Sequence, residues 1–251
     1  MKKAVVVGGS NGIGLAITIN LIEKGYYVYI LDLVRPDKKN LKKDECYQYI
    51  ECDLLKFDDG IFEKLSDDKD ISVLIITAGI GRVADFECLT TNEICNTFMI
   101  NSIAGIRIIR LFYNRIKDKE PFYCGIMGSI AGLISSPMFS VYAASKAAIC
   151  RFIESVNIEL ELGGTDNRIL NVSPGSIKGT RFNGEENNLE LTQQLAEDIV
   201  EHIFKRDELF IPEYEEIYKG VLKRYSDNPH DFGLSSYEYK KNSGRVRKQV
   251  Q

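Results

Sequence analysis

The run Ala4-Val5-Val6-Val7-Gly8-Gly9-Ser10-Asn11-Gly12-Ile13-Gly14 decides the fold. Ala4 to Val7 suit a buried strand, the glycines suit a tight turn, and Ile13, Ala16, Ile17 and Leu21 repeat at helical spacing beyond it. A strand, a glycine turn and a helix in that order aim a helix N-terminus at a pyrophosphate and let it approach the backbone closely. Gly8, Ser10, Asn11, Gly12, Ile13 and Gly14 are therefore the candidate phosphate-binding residues. Their spacing is G-x-x-x-G-x-G, and only the flanking strand and helix lift it above an ordinary glycine turn. Asp32 ends the next apolar run about twenty residues on, where a carboxylate can accept from an adenosine ribose; the alternative is a solvated strand end. A carboxylate there repels a ribose 2′-phosphate, so NAD(H) is favoured over NADP(H), with Arg35 close enough to soften the preference.

Further along, Tyr27 to Leu31, Tyr47 to Ile50, Val73 to Ile76, Tyr123 to Met127 and Ile169 to Val172 have the length of buried strands, and helix-patterned segments separate them. This alternation predicts an α/β fold, a doubly wound parallel sheet with helices on both faces. One domain is expected over residues 1–205, with residues 206–251 as a strand and helix extension of it ending in a basic tail.

Composition narrows the function classes. Thirty-two Lys and Arg stand against 36 Asp and Glu, a mild acidic balance with no footprint for nucleic acid. The 6 cysteines are scattered without a C-x-x-C pair, which reads as free thiols in a reducing compartment, and 2 histidines offer no metal spacing. The glycines at Gly8 and Gly9 end the first apolar run too early for a signal peptide, and no stretch is expected to approach the length of a membrane span. A cytoplasmic location follows.

Two helices carry polar residues on apolar stripes. Ile94, Phe98, Asn101, Gly105, Ile108 and Phe112 share one face of a helix within Thr90 to Lys117, and Asn101 is the polar intruder. Tyr142, Lys146, Ile149, Ile153, Val156 and Leu160 share one face within Tyr142 to Leu162. An inward tyrosine and lysine need a polar purpose; the bland alternative is a snorkelling lysine and a packed ring.

Together with Ser129, thirteen residues before Tyr142, these features resemble the short-chain dehydrogenase/reductase family from about residue 3 to about residue 180. Gly8, Gly12 and Gly14 match its cofactor turn and Asp53, followed by Leu54, its adenine-contacting acid. Ala78-Gly79 match the end of its Asn-Asn-Ala-Gly motif. Asn101, Ser129, Tyr142 and Lys146 match its catalytic set, and Pro174-Gly175, with Ile177 after them, its nicotinamide turn. The resemblance implies a Rossmann-type fold, a nicotinamide cofactor, and a homodimer or homotetramer through the two long helices, whose outward residues include Phe152. Asn101 would hold a water linking Lys146 to solvent. The chain departs from the pattern at Val7, Ile76 and Thr77, where threonine and two asparagines are usual, and Thr180 stands one step late to bind a carboxamide. The usual Val-Asp-Gly-Gly ending is replaced by Phe210-Ile211-Pro212.

The chemistry expected is interconversion of a carbonyl and a secondary alcohol. Tyr142 would be the general acid or base, its ordinary pKa of about 10 lowered by the Lys146 ammonium four residues on. Ser129 would hydrogen-bond the substrate oxygen. Two alternatives stay open: a sugar-nucleotide epimerase or dehydratase, and a catalytically silent nucleotide-binding sensor or scaffold. The partner is a small carbonyl or alcohol. An anionic one, such as a phosphorylated sugar or polyol held by Lys178, Arg181 or a tail arginine, competes with an acyl thioester on an acidic carrier protein and with a simply solvated tail carrying Lys240, Lys241, Arg245, Arg247 and Lys248.

Overall fold

A computed structural model describes residues 1–41, 44–180, 182 and 187–243. Strands β1 (Lys3–Val7), β2 (Tyr27–Asp32), β3 (Tyr47–Glu51), β4 (Ile71–Ile76), β5 (Tyr123–Met127), β6 (Ile169–Val172) and β7 (Leu209–Phe210) form one sheet in the order 3-2-1-4-5-6-7. Every neighbouring pair is parallel. The six strands expected from the sequence are all present. The seventh is a two-residue strand, too short to leave a periodic signal.

Alternate side chains face opposite ways, and the two cores divide accordingly. Val5 and Val7 of β1 join Leu74, Ile76, Phe62, Ile108, Phe112, Ile149 and Ile153, so α2 (Asp59–Asp67), α4 (Ala104–Ile116) and α5 (Ser140–Leu162) cover one face. Ala4 and Val6 join Leu15, Leu21, Val28, Ile75, Val172, Ile199 and Val200, so α1 (Gly12–Glu23) and α6 (Leu189–Lys205) cover the other. The order reverses between β1 and β4, where a crevice opens beyond the strand C-termini. Gly8, Asp32, Asp53, Ala78, Ser129 and Pro174 all lie just beyond those ends, or at them.

The segment Thr91–Ile116 is one continuous helical run of 26 residues, which corrects the expectation that no stretch approaches membrane-spanning length. Its apolar content has a local explanation. Ala104, Ile108, Ile109, Phe112 and Ile116 are buried against the sheet. The run is α3 (Thr91–Phe98), a π-helical turn at Met99–Ile103, and α4. Thr90 opens it with a capping box closed by Glu93.

Beyond β7 the chain makes a second π-turn (Tyr214–Tyr218), α7 (Lys219–Asp227) and α8 (Pro229–Asn242). Pro229 and the Asn228 side chain, which accepts from the Asp231 N–H at 3.1 Å, start α8. No residue of α7 or α8 is fully buried. Gly233 of α8 lies where an added methyl would meet Ser135 and Pro137 at 3.9 and 4.0 Å.

Candidate active site

The glycine turn is closed by contacts that admit no side chain. Gly8 has φ +85°, and a methyl on it would stand 2.6 Å from the Ala78 nitrogen; one on Gly14 would stand 2.1 Å from the Gly8 carbonyl oxygen. Thr77 Oγ1 donates to the Val7 and Gly8 carbonyls, both at 3.1 Å, so this threonine ties β4 to the turn where an asparagine is usual. Thr18, unnoticed in the sequence, donates to the Gly9 and Gly14 carbonyls at 3.2 and 2.9 Å.

A backbone donor of the turn reaches a side-chain oxygen from the other end of the site's sequence. The Gly12 N–H, at the start of α1, donates to the Asn187 carboxamide oxygen at 3.1 Å, and Asn187 Nδ2 donates to Asn11 Oδ1 at 2.8 Å. Ser10 Oγ is buried with no partner among the described residues. A helix N-terminus already donating to an oxygen, a buried hydroxyl without a partner among the described residues, and Gly8 and Gly14 with no room for Cβ fit a dinucleotide's phosphates. Asp32 Oδ2 accepts from the Ser10 N–H at 3.0 Å, which sets the carboxylate beside the turn. Arg35 stacks over the Tyr49 ring, 4.9 Å from its centroid. Asp53 caps the short 3-10 turn Leu54–Lys56 through the Leu55 N–H at 3.0 Å, and Leu54 is buried beneath it.

Residues 77–79 connect this turn to the four polar residues read from the sequence. A methyl on Gly79 would lie 3.3 Å from both Asn101 Oδ1 and Lys146 Nζ. Asn101 sits in the π-turn, which rotates it out of α-helical register. Its Oδ1 accepts from the Ile80 N–H and its Nδ2 donates to the Ile80 carbonyl, both at 2.8 Å; Nδ2 also donates to Ser145 Oγ at 3.0 Å. Ser145 in turn donates to the Tyr142 carbonyl at 2.7 Å. Asn101 is thus bonded both to the loop after β4 and to the first turns of α5.

Lys146 is 2% exposed, so it does not snorkel. Its ammonium donates to the Met127 carbonyl at 2.6 Å and lies 5.8 Å from the Tyr142 ring centroid. Burial pushes its pKa down to about 8. The Tyr142 phenol goes the other way: burial pushes it up to about 12, and the hydrogen bond with Ser129 pulls it back only in part. This differs from the sequence-based expectation of a phenol made acidic by Lys146. The ammonium is turned toward Met127, while Phe139 stacks on the Tyr142 ring at 4.1 Å between centroids and Phe182 tilts against it at 5.3 Å. Ser129 Oγ accepts from the Ala131 N–H at 3.1 Å and donates to the Pro174 carbonyl at 3.4 Å, linking the ends of β5 and β6.

A cavity of about 170 Å³ opens beside Tyr142, lined by Ile80, Gly81, Leu89, Thr97 and the Arg82–Glu93 ion pair. Across the site, Tyr218 packs on Gly175 and accepts from the Ser176 N–H. Ile177 lies beyond, its carbonyl accepting from Thr180 Oγ1 at 3.1 Å; Thr180 is buried against Gly12. Lys178 is exposed, and Arg181, Arg245, Arg247 and Lys248 lie outside the described residues. Phe139, Ser145 and Tyr218 carried no signal in the sequence beyond their nearness to Tyr142, Lys146 and the seventh strand.

The family model for short chain dehydrogenase matches residues 2–190. A relative from Lentilactobacillus kefiri, the NADP-dependent (R)-specific alcohol dehydrogenase, is 28% identical over 212 residues, covering 80% of this chain and 83% of its own. The NADPH-dependent 1-acyldihydroxyacetone phosphate reductase of Saccharomyces cerevisiae is 28% identical over 193 residues, 70% of this chain and 61% of its own. Among solved structures, a short chain dehydrogenase from Burkholderia cenocepacia in complex with NADP superposes with a TM-score of 0.75 at 19% identity, covering 94% of this chain and 99% of the other. With three quarters of its length under that family model, the chain belongs to the short chain dehydrogenase family of NAD(P)-dependent oxidoreductases.

Proposed function

We propose that this protein interconverts a carbonyl compound and a secondary alcohol, with Tyr142 as general acid and base. The observation that carries the reading is the unbroken contact from the glycine turn through Ala78 and Gly79 to Lys146, with Tyr142 and Ser129 in the same buried cluster. A nicotinamide dinucleotide, when bound, supplies or accepts the hydride. Gly8, Ser10, Asn11, Gly12, Ile13, Gly14, Asp32, Asp53, Leu54, Ala78, Gly79, Pro174, Gly175 and Ile177 would hold it, with Tyr142 and Lys146.

The protein's own groups handle the proton. Burial keeps the Tyr142 phenol protonated across the ordinary pH range, which suits donation to a carbonyl oxygen as negative charge develops there. The Ser129 hydroxyl hydrogen-bonds the same oxygen and steadies it. The Lys146 ammonium, turned to the Met127 carbonyl and 5.8 Å from the Tyr142 ring centroid, would help hold the cofactor beside the phenol. Asn101 keeps the Ile80 peptide and the first turn of α5 in register with one another.

Two finer points belong to the same reading. Asp32, fixed by the Ser10 N–H, favours NAD(H); NADP(H) is the second reading, favoured by the cofactor in both relatives' names. Assembly as a homodimer or homotetramer is supported by Ile103, Ile158 and Leu162, exposed apolar residues on the two long helices; Phe152 is half-buried against the core.

The test is turnover of NADH and NADPH by the purified chain against a panel of ketones and aldehydes. Oxidation of either cofactor by some members supports the reading; tight cofactor binding with no turnover across the panel would favour a sensor or scaffold. Asp32→Ala should shift the NADPH/NADH ratio of kcat/KM by about 10-fold, the size of one unscreened charge contact. An unmoved ratio would remove Asp32 as the selector.

A further inference from the structure

On that redox reading, we infer that Lys240 forms, with Ser136 and Ser236, an anion-binding subsite, so that the substrate is a small carbonyl compound bearing a carboxylate or phosphate away from its reacting carbon. Lys240 lies on α8 and its ammonium is part-buried, donating to Ser136 Oγ at 2.7 Å and Ser236 Oγ at 2.9 Å. An ammonium has three N–H donors. Two are used, and among the described residues no carboxylate lies within ion-pairing distance of the third. Burial alone pushes its pKa down to about 8, so the group is held out of water without an opposing charge, yet is mostly cationic at neutral pH. A part-buried cation with two neutral hydroxyl partners is incomplete until an anion joins it.

Its position ties it to the site. Ser136 belongs to the segment between Ser129 and Tyr142: its carbonyl accepts from the Phe139 N–H at 3.0 Å, and the Phe139 ring stacks on Tyr142. Met138 between them is held at φ +60°, a strained conformation for a residue with a side chain. Gly233, Ser236 and Lys240, at steps of three and four, form the α8 face that meets Ser135, Ser136 and Pro137. The same C-terminal extension reaches the opposite rim through Tyr218 on Gly175. Tyr218, Gly233, Ser236 and Lys240 lie beyond the part matched by the family model, which ends at residue 190, while Ser135, Ser136 and Pro137 lie within it. The cationic element of the subsite is thus carried by the C-terminal part of the chain.

The experiment compares matched carbonyl pairs that differ only in a distant group: a keto acid with its methyl ester, and a hydroxyketone phosphate with the free hydroxyketone. Wild type, Lys240→Met and Lys240→Arg are assayed with each cofactor, and folding is checked by thermal unfolding. The expectation is a preference of the wild type for one anionic member, a loss in Lys240→Met of about 10- to 100-fold in kcat/KM for that member alone, as for a hydrogen bond to a charged group, and retention of most of it in Lys240→Arg. The pair that responds distinguishes carboxylate from phosphate. Equal losses on neutral and anionic members, or a wild type indifferent to charge, would overturn the subsite while leaving the redox reading intact. If wild type turns over nothing, the redox reading fails, and calorimetric titration of the same compounds into full-length protein still decides the subsite. Binding of the anionic member that Lys240→Met loses supports it; equal binding of acid and ester overturns it.

Discussion

The helix α5 and the helix α8 both touch the region around Tyr142, and they are built in opposite ways. Ten residues of α5 are buried, including Tyr142, Ser145 and Lys146, whereas α8 buries none fully. The polar groups of α5 are locked to Asn101, Met127 and Ser129 in a network with little water to compete. Those of α8 are hydroxyl contacts on the outside of a loop. In the proposed reaction the phenol and the ammonium sit in the packed part, and the proposed subsite leaves selection among substrates to the part that can change without disturbing it.

The largest effect that would break this contrast is at the glycine turn. Gly14→Ala would put a methyl 2.1 Å from the Gly8 carbonyl oxygen and 2.5 Å from Thr77 Oγ1, which is itself bonded to the Val7 and Gly8 carbonyls. Cofactor affinity should fall by about 100-fold and unfolding free energy by about 3 kcal/mol, read by NADH fluorescence titration and urea unfolding. Affinity within a few-fold of wild type would mean the turn is not where the dinucleotide binds. Removal of residues 229–251 should cost about 1–2 kcal/mol and leave cofactor affinity unchanged, because α8 contributes no fully buried residue. Loss of the folded state would show that the extension is part of the core after all.

A smaller effect appears in the pH dependence of stability. An unfolded lysine keeps its proton to about its ordinary 10.5, while Lys146 in the folded chain releases it near 8. Between those values the unfolded chain binds more protons, so stability rises with pH. Lys146 should contribute about 1 kcal/mol between pH 8 and 9, and part-exposed Lys240 less. Above the ordinary thiol value of 9.0 the sign opposes this, because burial pushes Cys52 up to about 11 and Cys124 further still. Urea unfolding at pH 7, 8 and 9 should show the rise in wild type and its loss in Lys146→Met. An identical pH trend in both would remove Lys146 as its source.

Most of the fold was legible because its strands are short apolar runs bounded by glycine and charge. Asn101, Tyr142 and Lys146 were legible for the converse reason, as polar residues on apolar helical stripes. The π-turn was not, since hydrophobic spacing averages over a helix and does not register one extra residue per turn. Ser145 was hidden because a serine beside a lysine on a helix is unremarkable until Asn101, 44 positions away, is seen to bond it. The direction of the Tyr142 shift could not be read from a four-residue spacing. It depends on Phe139 and Phe182 covering the ring and on the ammonium turning to Met127. Lys240 read as one cation in a basic tail; its hydroxyl partner Ser136 is 104 positions away.

In the proposed reaction the buried Tyr142 phenol is the proton donor. The most direct measurement of that role is single-turnover oxidation of bound NADH or NADPH, with a carbonyl that the wild type reduces, by Tyr142→Phe. We predict a rate lower by about 10²- to 10⁴-fold, with cofactor affinity within a few-fold of wild type. A Tyr142→Phe rate within a few-fold of wild type, with the cofactor bound equally well, would contradict it.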